Sequence, residues 1–173
     1  TGPGQGVIDK LLERTSLLYR SDAWRQKLIA ANATQVVLVV ATEPSFSDEF
    51  LSRCICAAES QHLKVLIVLN KIDIVAGLEG ARAQLATFAK LGYPILELSA
   101  LDSADALRAR LIGETSLLVG QSGMGKSTLT NALIPEARAE TREISEYLDT
   151  GKHTTTFARL YPLPEGGGII DSP

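Results

Sequence analysis

The sequence predicts an α/β fold in which a doubly wound, mostly parallel sheet is covered by helices. Short β-branched apolar runs, of which Gln35 to Ala41 is the clearest, alternate with amphipathic stretches of helical period, as is typical of parallel sheets. A glycine-rich loop of the phosphate-binding type, Gly120 to Thr128, stands between an apolar run and a helical stretch. Further polar motifs also follow predicted strands. Because the carboxyl ends of parallel strands meet at one edge of a sheet, the fold class predicts where a ligand site lies.

The composition limits the classes of protein that the chain can represent. Its 173 residues are 45% apolar and 21% charged, with a formal net charge of −3, which is ordinary for a soluble globular domain. This charge offers no overall attraction to nucleic acid, so any RNA contact would be local or made elsewhere. The longest apolar runs are too short to cross a bilayer, and no signal peptide opens the chain. We therefore expect a cytoplasmic protein without a membrane partner.

The first part of the chain predicts two buried strands separated by a helix. Residues Thr1 to Arg20 begin glycine-rich and show no clean period, although Ser16 to Tyr19 resembles a strand that closes a domain lying upstream. Gln35 to Ala41 predicts a strand covered on both faces. Asp48 to His62 follows with apolar positions at helical spacing, and Lys64 to Leu69 predicts the second buried strand.

The middle of the chain continues the alternation of helix and strand. Leu78 to Leu91 predicts a helix that ends at Gly92, since glycine readily takes the left-handed conformation found after helices. Ile95 to Leu98 predicts a third strand and Ser103 to Ile112 a further helix. Thr115 to Val119 then predicts the strand that leads into the glycine-rich loop.

The last part of the chain predicts one helix and a hairpin. The helix that begins at Lys126 ends near Ile134, because Pro135 cannot continue it. Pro135 to His153 is polar and lacks sustained periodicity, so a long functional loop is expected there. Phe157 to Leu163 and Gly168 to Asp171 predict two strands joined by a glycine-rich turn, as an antiparallel hairpin at the edge of the sheet.

The loop after the strand Thr115 to Val119 carries a phosphate-binding pattern. Gly120, Gly125, Lys126 and Ser127 match GxxxxGK[ST], in which successive backbone N–H groups surround an oxyanion at a helix N-terminus. Lys126 is expected to reach the β- and γ-phosphates and to act in catalysis, and the Ser127 hydroxyl to ligate Mg²⁺. The residues expected to bind the nucleotide here are Gly120, Gln121, Ser122, Gly123, Met124, Gly125, Lys126, Ser127 and Thr128.

The four residues after the second buried strand predict a guanine-binding loop. They are Asn70, Lys71, Ile72 and Asp73. The Asp73 carboxylate is placed to accept hydrogen bonds from both N1–H and the N2 amine of guanine. Adenine lacks this donor pair and would leave the carboxylate unsatisfied. Lys71 is expected to lay its stem along the base, and Asn70 to tie this loop to the phosphate loop.

The turn after the third strand is a second candidate for contact with the base. It consists of Ser99, Ala100 and Leu101, and the Ser99-Ala100 pair can offer a backbone N–H to guanine O6. For the Ser99 side chain, an equally good interpretation is that it caps the following helix.

Two later segments predict ligands of a magnesium ion. Asp171 ends a predicted strand parallel to that of the phosphate loop, where an acid can hold Mg²⁺ through water. One hydroxyl among Thr154, Thr155 and Thr156 can complete the Mg²⁺ shell when a γ-phosphate is present, and we take Thr155 as this ligand and as a catalytic residue. A plain strand of threonines is the competing interpretation. No residue that orients the attacking water is identified.

The order of the motifs is permuted, since the base-reading motifs precede the phosphate loop. The sequence resembles the circularly permuted ribosome-small-subunit-dependent GTPase A family (RsgA/YjeQ), through NKID at 70–73, GQSGMGKSTLTN at 120–131, GKHTTT at 151–156 and IDSP at 170–173. The resemblance implies a P-loop GTPase fold and a bacterial cytoplasmic enzyme that uses GTP, GDP and Mg²⁺. It also implies binding to the small ribosomal subunit and its rRNA, and a role in late maturation of that subunit.

The resemblance further implies how the chain divides into domains. Residues 1–25 would be the tail of a mostly missing N-terminal OB-like barrel with its linker, and residues 26–173 a permuted GTPase domain ending within switch II. The C-terminal zinc domain of the family, with its zinc site, would be absent from this chain. Contact with the ribosome would then run mainly through the missing domains, and we expect the chain to be a monomer.

Three other functions are compatible with parts of the sequence. The chain could be a nucleotide-gated ribosome-binding module whose turnover is negligible without its partner. It could be an adenine-specific P-loop ATPase or kinase, which Asp73 argues against. It could also be a different permuted ribosome-assembly GTPase that acts on the large subunit, which the GQSG and GKHTTT motifs disfavour.

Overall fold

Eight strands and four helices make up the part of the chain that the computed structural model describes, residues 6–21, 26–134 and 158–171. The strands are β1 (Leu17–Ser21), β2 (Gln26–Ala31), β3 (Gln35–Ala41), β4 (Lys64–Asn70), β5 (Ile95–Glu97), β6 (Thr115–Val119), β7 (Arg159–Pro162) and β8 (Gly168–Asp171). The helices are α1 (Asp48–Glu59), α2 (Leu78–Lys90), α3 (Asp105–Leu111) and α4 (Lys126–Leu133). The strands and helices predicted in these ranges are present, several with slightly different ends.

Six strands form the central sheet, in the order β5-β4-β3-β6-β8-β7. β3 pairs in parallel with β4 over its whole length, from Gln35 opposite Lys64 to Ala41 opposite Asn70. β6 pairs in parallel with both β3 and β8. Among the described strands of this sheet, β7 is the one that runs antiparallel to the rest, and it lies at the edge of the sheet. β7 and β8 form the predicted hairpin, and β8 pairs in parallel with β6. The predicted α/β class with a mostly parallel sheet is confirmed.

The central strands are apolar without alternation because both of their faces are covered. All seven residues of β3 and six of the seven residues of β4 are buried. Leu38, Ile67 and Leu117 have almost no contact with solvent, and burying such a side chain contributes roughly 1.5–3 kcal/mol. The carboxyl ends of β3, β4 and β6 therefore project from a well-packed core.

Helix α1 begins where its sequence predicts but ends earlier. The Ser47 hydroxyl caps its N-terminus by accepting the Phe50 N–H over 3.3 Å, and Leu51, Ile55 and Ala58 form its buried stripe. The helix ends at Glu59 rather than continuing to His62. The reason is local, since His62 has a φ of 54° and lies in the turn that follows the helix.

Strand β2 was not expected from the sequence, where residues 22–32 show no clear period. β1 and β2 pair as an antiparallel two-stranded sheet with an irregular register between Leu18 and Tyr19. Most of β2 is exposed, with Ala30 as its buried residue, so no alternation of apolar and polar residues marks it. The domain boundary expected after residue 25 falls between these paired strands, and it stays a prediction.

Some predictions fall on residues outside the described ranges. They are the polar stretch from Pro135 to His153, the threonines of the motif at 151–156, and Ser172 with Pro173. In the described ranges, no helix has the length and hydropathy that crossing a membrane requires.

Candidate nucleotide-binding site

The carboxyl ends of β4, β5, β6 and β8 meet at one edge of the sheet and carry the predicted binding motifs. The predicted site residues that the structure places at this edge are Asn70, Lys71, Ile72, Asp73, Ser99, Ala100, Leu101, Gly120, Gln121, Ser122, Gly123, Met124, Gly125, Lys126, Ser127, Thr128 and Asp171. Thr155 lies outside the described residues, as do Thr154 and Thr156.

The phosphate loop needs glycine at two positions because neighbouring groups approach its backbone closely. A Cβ atom at Gly120 would collide with the carbonyl oxygen of Val39, and one at Gly125 would collide with the side-chain amide of Asn70. Gly125 also has a φ of 90° and forms the N-cap of α4, a conformation that L side chains rarely adopt. The loop is thus held against β3 and the end of β4, with a helix N-terminus ready to face an anion.

The Lys126 side chain folds back over the phosphate loop. Its Nζ donates to the carbonyl oxygens of Gly120 over 2.6 Å and Gln121 over 3.2 Å. Burial lowers the pKa of Lys126, while the carboxylate of Asp171 acts in the opposite direction. Burial likewise raises the pKa of Asp171, partly offset by Lys126. The structure therefore holds a partly desolvated cation and a partly desolvated acid at the phosphate loop, where an anion would compensate the cation and a metal cation the acid.

Asn70 joins the three motifs of the site through one side chain. It is only 1% exposed. Its Nδ2 donates to the Met124 carbonyl oxygen of the phosphate loop over 3.0 Å, and its Oδ1 accepts the Ala100 N–H over 3.0 Å. Since one partner is a carbonyl and the other an N–H, the orientation of the amide is determined. The loop of residues 70–73, which we call the base-reading loop, and the phosphate loop are therefore hydrogen-bonded to each other in the nucleotide-free chain.

The turn after β5 uses one of its backbone donors within the protein. Of the Ser99-Ala100 pair, expected to offer a backbone N–H to guanine O6, the Ala100 N–H donates to the Asn70 side chain. Within the described part of the chain, the Leu101 N–H donates no hydrogen bond and so is available. The Ser99 hydroxyl is buried without a partner among the described residues. It does not cap α3, where the Ser103 hydroxyl accepts the Asp105 N–H over 3.1 Å instead.

The rest of the base-reading loop presents a free carboxylate. Lys71 adopts a left-handed φ of 62° and its Nζ donates to the Glu43 carbonyl oxygen over 2.8 Å. Ile72 is half-buried and packs against the core. Asp73 is exposed, and its carboxylate accepts no hydrogen bond from any residue that the structure describes. Its oxygens are therefore free to receive two donors from a ligand.

Sequence reasoning missed one segment that borders the site, residues Thr42–Ser47 between β3 and α1. The Ser47 N–H donates to Gln121 Oε1 of the phosphate loop over 3.2 Å, and the ring of Pro44 lies beside Gly123. The position of the segment at the carboxyl end of a buried parallel strand was the signal that could have identified it.

A cavity of about 500 Å³ lies elsewhere, at the amino ends of β3 and β4. Gln35, Lys64, Tyr93 and Arg110 are among its lining residues, and none of the motif residues lines it. Ligands in open α/β sheets bind at the carboxyl ends of the strands. The motif-bearing edge, and not this cavity, is therefore the candidate ligand site.

The chain has close relatives among known proteins. A family profile described as RsgA GTPase matches residues 11–173. The small ribosomal subunit biogenesis GTPase RsgA of Burkholderia pseudomallei (strain 668) is 55% identical over 177 residues, a match that covers 100% of this chain and 56% of that protein. The chain thus spans little more than half the length of such a relative.

Solved structures give the same result for the fold. The crystal structure of YjeQ from Thermotoga maritima superposes with a TM-score of 0.71 at 31% identity, covering 98% of this chain and 55% of that one. YloQ, described as a circularly permuted GTPase, superposes with a TM-score of 0.59 at 23% identity, covering 99% of this chain and 61% of that one. At 23% identity the second likeness shows the fold alone. The resemblance seen in the motifs is confirmed, and the chain belongs to the RsgA GTPase family.

Proposed function

We propose that this chain binds guanine nucleotides and hydrolyses GTP, as the nucleotide-binding part of a protein that assists late maturation of the small ribosomal subunit. The observation that carries the proposal is the Asn70 side chain, which bonds the phosphate loop at Met124 and the turn at Ala100. A ligand that bridges these loops must have a phosphate tail at one end and a base at the other. A purine nucleotide meets this requirement.

Selection of guanine would come from Asp73 and the turn after β5. The exposed Asp73 carboxylate would accept from N1–H and the N2 amine of guanine. Among the described residues of this turn, the Leu101 N–H is one available donor for O6, whereas the Ala100 N–H is already bonded to Asn70. Adenine would offer Asp73 no donor pair, and an unsatisfied charged acceptor strongly disfavours the wrong base.

Hydrolysis would be an in-line attack by water on the γ-phosphate, aided chiefly by positioning and by fixed charges. The Lys126 ammonium donates to the carbonyl oxygens of Gly120 over 2.6 Å and Gln121 over 3.2 Å. It would exchange these two oxygens for phosphate oxygens. Thr155 is proposed to act with Lys126 at the γ-phosphate.

The residues present fit a magnesium ion. Ser127 offers an exposed hydroxyl in the first turn of α4, and Asp171 is a half-buried acid whose pKa burial raises. These are hard oxygen donors, and Mg²⁺ in nucleotide sites is commonly held by one or two such groups together with phosphates and water. Ser127 and Thr155 would bind it directly and Asp171 through water. When bound, Mg²⁺ would offset the charge of the β- and γ-phosphates.

The partner and cellular setting rest on the relatives. The name of the Burkholderia protein links it to biogenesis of the small ribosomal subunit, and we propose the same partner here, including its rRNA. We further propose a cytoplasmic, monomeric protein, in which residues 1–25 continue an N-terminal barrel and residues 26–173 form the permuted GTPase domain.

The test is nucleotide turnover by the full-length protein, with GTP and ATP compared, alone and with purified small or large ribosomal subunits. We expect binding of GDP and GTP over adenine nucleotides, and GTP turnover that rises with small subunits. Tight GTP binding without turnover, even with small subunits, would favour a nucleotide-gated binding module. Equal use of ATP would favour an adenine-specific ATPase or kinase. Stimulation by large subunits alone would favour a permuted GTPase that acts on the large subunit.

A further inference from the structure

The two ligand-facing loops are joined a second time, by a segment that belongs to neither motif. This segment, Thr42–Ser47, connects β3 to α1, and we call it the interloop brace. It begins at the carboxyl end of the fully buried strand β3. It therefore starts from a strand that is packed on both faces.

One end of the interloop brace contacts the phosphate loop. The Ser47 N–H donates to Gln121 Oε1 over 3.2 Å, so the first variable residue of the phosphate loop is bonded to the N-cap of α1. A Cβ atom placed on Gly123 would lie 3.3 Å from Pro44 Cγ, so the apex of the loop is packed against the Pro44 ring. Both contacts are made by residues that the GxxxxGK[ST] pattern leaves unspecified.

The other end of the interloop brace holds the base-reading loop. The Thr42 hydroxyl donates to the Lys71 carbonyl oxygen over 3.0 Å, and the Lys71 ammonium donates to the Glu43 carbonyl oxygen over 2.8 Å. Lys71 is left-handed, with a φ of 62°, a conformation that needs support from surrounding contacts. The brace supplies two such contacts.

The interloop brace is itself anchored at its middle. The Phe46 side chain is buried in the core. Gln84 of α2 donates from Nε2 to the Phe46 carbonyl oxygen over 3.2 Å and to Asp48 Oδ1 over 2.6 Å. The position of the brace is therefore set by its contacts with the core and α2 as well as by its contacts with the two loops.

We propose that Gln121 is a positioning residue, which acts through the interloop brace to hold the phosphate loop in register with Lys71 and the base-reading loop. This inference rests on the proposed function, since it concerns the same nucleotide site. Loss of the Gln121 acceptor would let the phosphate loop move relative to a base that stays held. Affinity for the phosphate tail should then fall more than affinity for the base.

The test compares GDP with GMP, because the two ligands share the base and differ in the phosphate that the loop must hold. Gln121→Met keeps side-chain length and removes the acceptor, and Thr42→Val keeps shape and releases the other end of the brace. Glu49→Gln on the exposed face of α1 is the matched control. Affinities of the full chain are measured by competition with a fluorescent GDP, and thermal unfolding is measured for each variant.

A single net hydrogen bond corresponds to about a two- to tenfold change in affinity. We expect Gln121→Met to lower GDP affinity by about that factor and GMP affinity by less than about twofold, with an unfolding temperature lowered by only about a few degrees. Thr42→Val should also weaken GDP binding. The GDP affinity of the double variant should equal that of the single variant with the lower affinity, because both changes break the same connection.

Several results would overturn the proposal. They are an unchanged ratio of GDP to GMP affinity in Gln121→Met, an unchanged GDP affinity in Thr42→Val, and losses that multiply in the double variant. A Gln121→Met chain that unfolds would leave the decision to Thr42→Val at the other end of the brace. Wild-type chain that binds no GDP would overturn the proposed function and this inference together, whereas normal wild-type binding with unaffected variants would overturn the inference alone.

Discussion

The Asn70 Nδ2 donates to the Met124 carbonyl oxygen across 3.0 Å, inside a site where the Asn70 side chain is 1% exposed. The same amide accepts the Ala100 N–H. Nothing in the spacing of the motifs along the chain requires these three residues to touch. Their contact is a property of the parallel sheet, which brings the ends of β4, β5 and β6 to one edge.

Replacing Asn70 tests how much this contact stabilises the fold. Asn70→Ala leaves the Met124 carbonyl and the Ala100 N–H without partners, and each buried unpaired group costs about 1–3 kcal/mol. We expect the free energy of unfolding of the nucleotide-free chain to fall by at least about 2 kcal/mol in urea denaturation. Asn131→Ala on α4 is the control, with an expected change within about 0.5 kcal/mol. Equal stability of the two variants would contradict the bridging role.

Glycine is required at Gly125 but not at Gly80, and the pair gives a matched comparison. A Cβ at Gly125 would meet the Asn70 amide at a left-handed φ, whereas a Cβ at Gly80 within α2 would meet nothing within 4 Å. We expect Gly125→Ala to destabilise the chain by about 1–3 kcal/mol and to abolish nucleotide binding. Gly80→Ala should stabilise it by about 0.5–1 kcal/mol. Chemical denaturation and GDP titration of both variants check this, and normal GDP binding by Gly125→Ala would be inconsistent with the structure.

The stability of the nucleotide-free chain should depend on the ionisation of Asp171. Burial raises the pKa of Asp171, and Lys126 only partly offsets this. Between the ordinary and the raised pKa the folded state binds more protons than the unfolded state, so stability falls as pH rises through that window. Asp171→Asn cannot ionise. We expect its urea midpoint to exceed that of wild type at neutral pH and the difference to vanish toward about pH 3. A difference that does not change with pH would contradict this account.

Asp171→Asn should lower GTP turnover although it stabilises the nucleotide-free chain. Asp171 is proposed to hold Mg²⁺ through water, and outer-shell groups of this kind typically change metal affinity or activity by about 10–100-fold. We therefore expect Asp171→Asn to lower Mg²⁺-dependent GTP turnover by about that factor while stabilising the free chain. A titration of turnover against Mg²⁺ measures this effect. Turnover that matches wild type at every Mg²⁺ concentration would remove Asp171 from the metal site.

Guanine selectivity should depend on the Asp73 carboxylate. Asp73→Asn presents an amide that suits the 2-oxo group of xanthine better than the amine of guanine. We expect preference to move from GTP toward XTP by on the order of a hundredfold or more, measured by competition binding. Asp105→Asn, an exposed acid in the first turn of α3, is the control and should keep guanine preference. Unchanged selectivity in Asp73→Asn would show that a group other than Asp73 selects the base.

Much of the fold was predictable because its signals are local. β3 and β6 have the bounds that their apolar runs predict, and α2 and α4 end close to the glycine and proline that follow them. β2 was not predictable, since its exposed residues show no alternation and its strand character comes from pairing with β1. The spacing of apolar residues also did not predict that α1 ends at Glu59, because this end depends on the left-handed turn at His62.

The sequence by itself determined which chemistry the chain can carry: the glycines, Lys126 and Ser127 of the phosphate loop, the Asp73 carboxylate, and the permuted order that identifies the family. These are properties of residue type and short spacing, which survive without knowledge of the fold. Only the tertiary structure decided which donors are free and which are used. The Ala100 N–H is taken by Asn70 and Gln121 is bonded to Ser47, because hydrogen bonds between residues far apart in sequence depend on how the strands are ordered in the sheet.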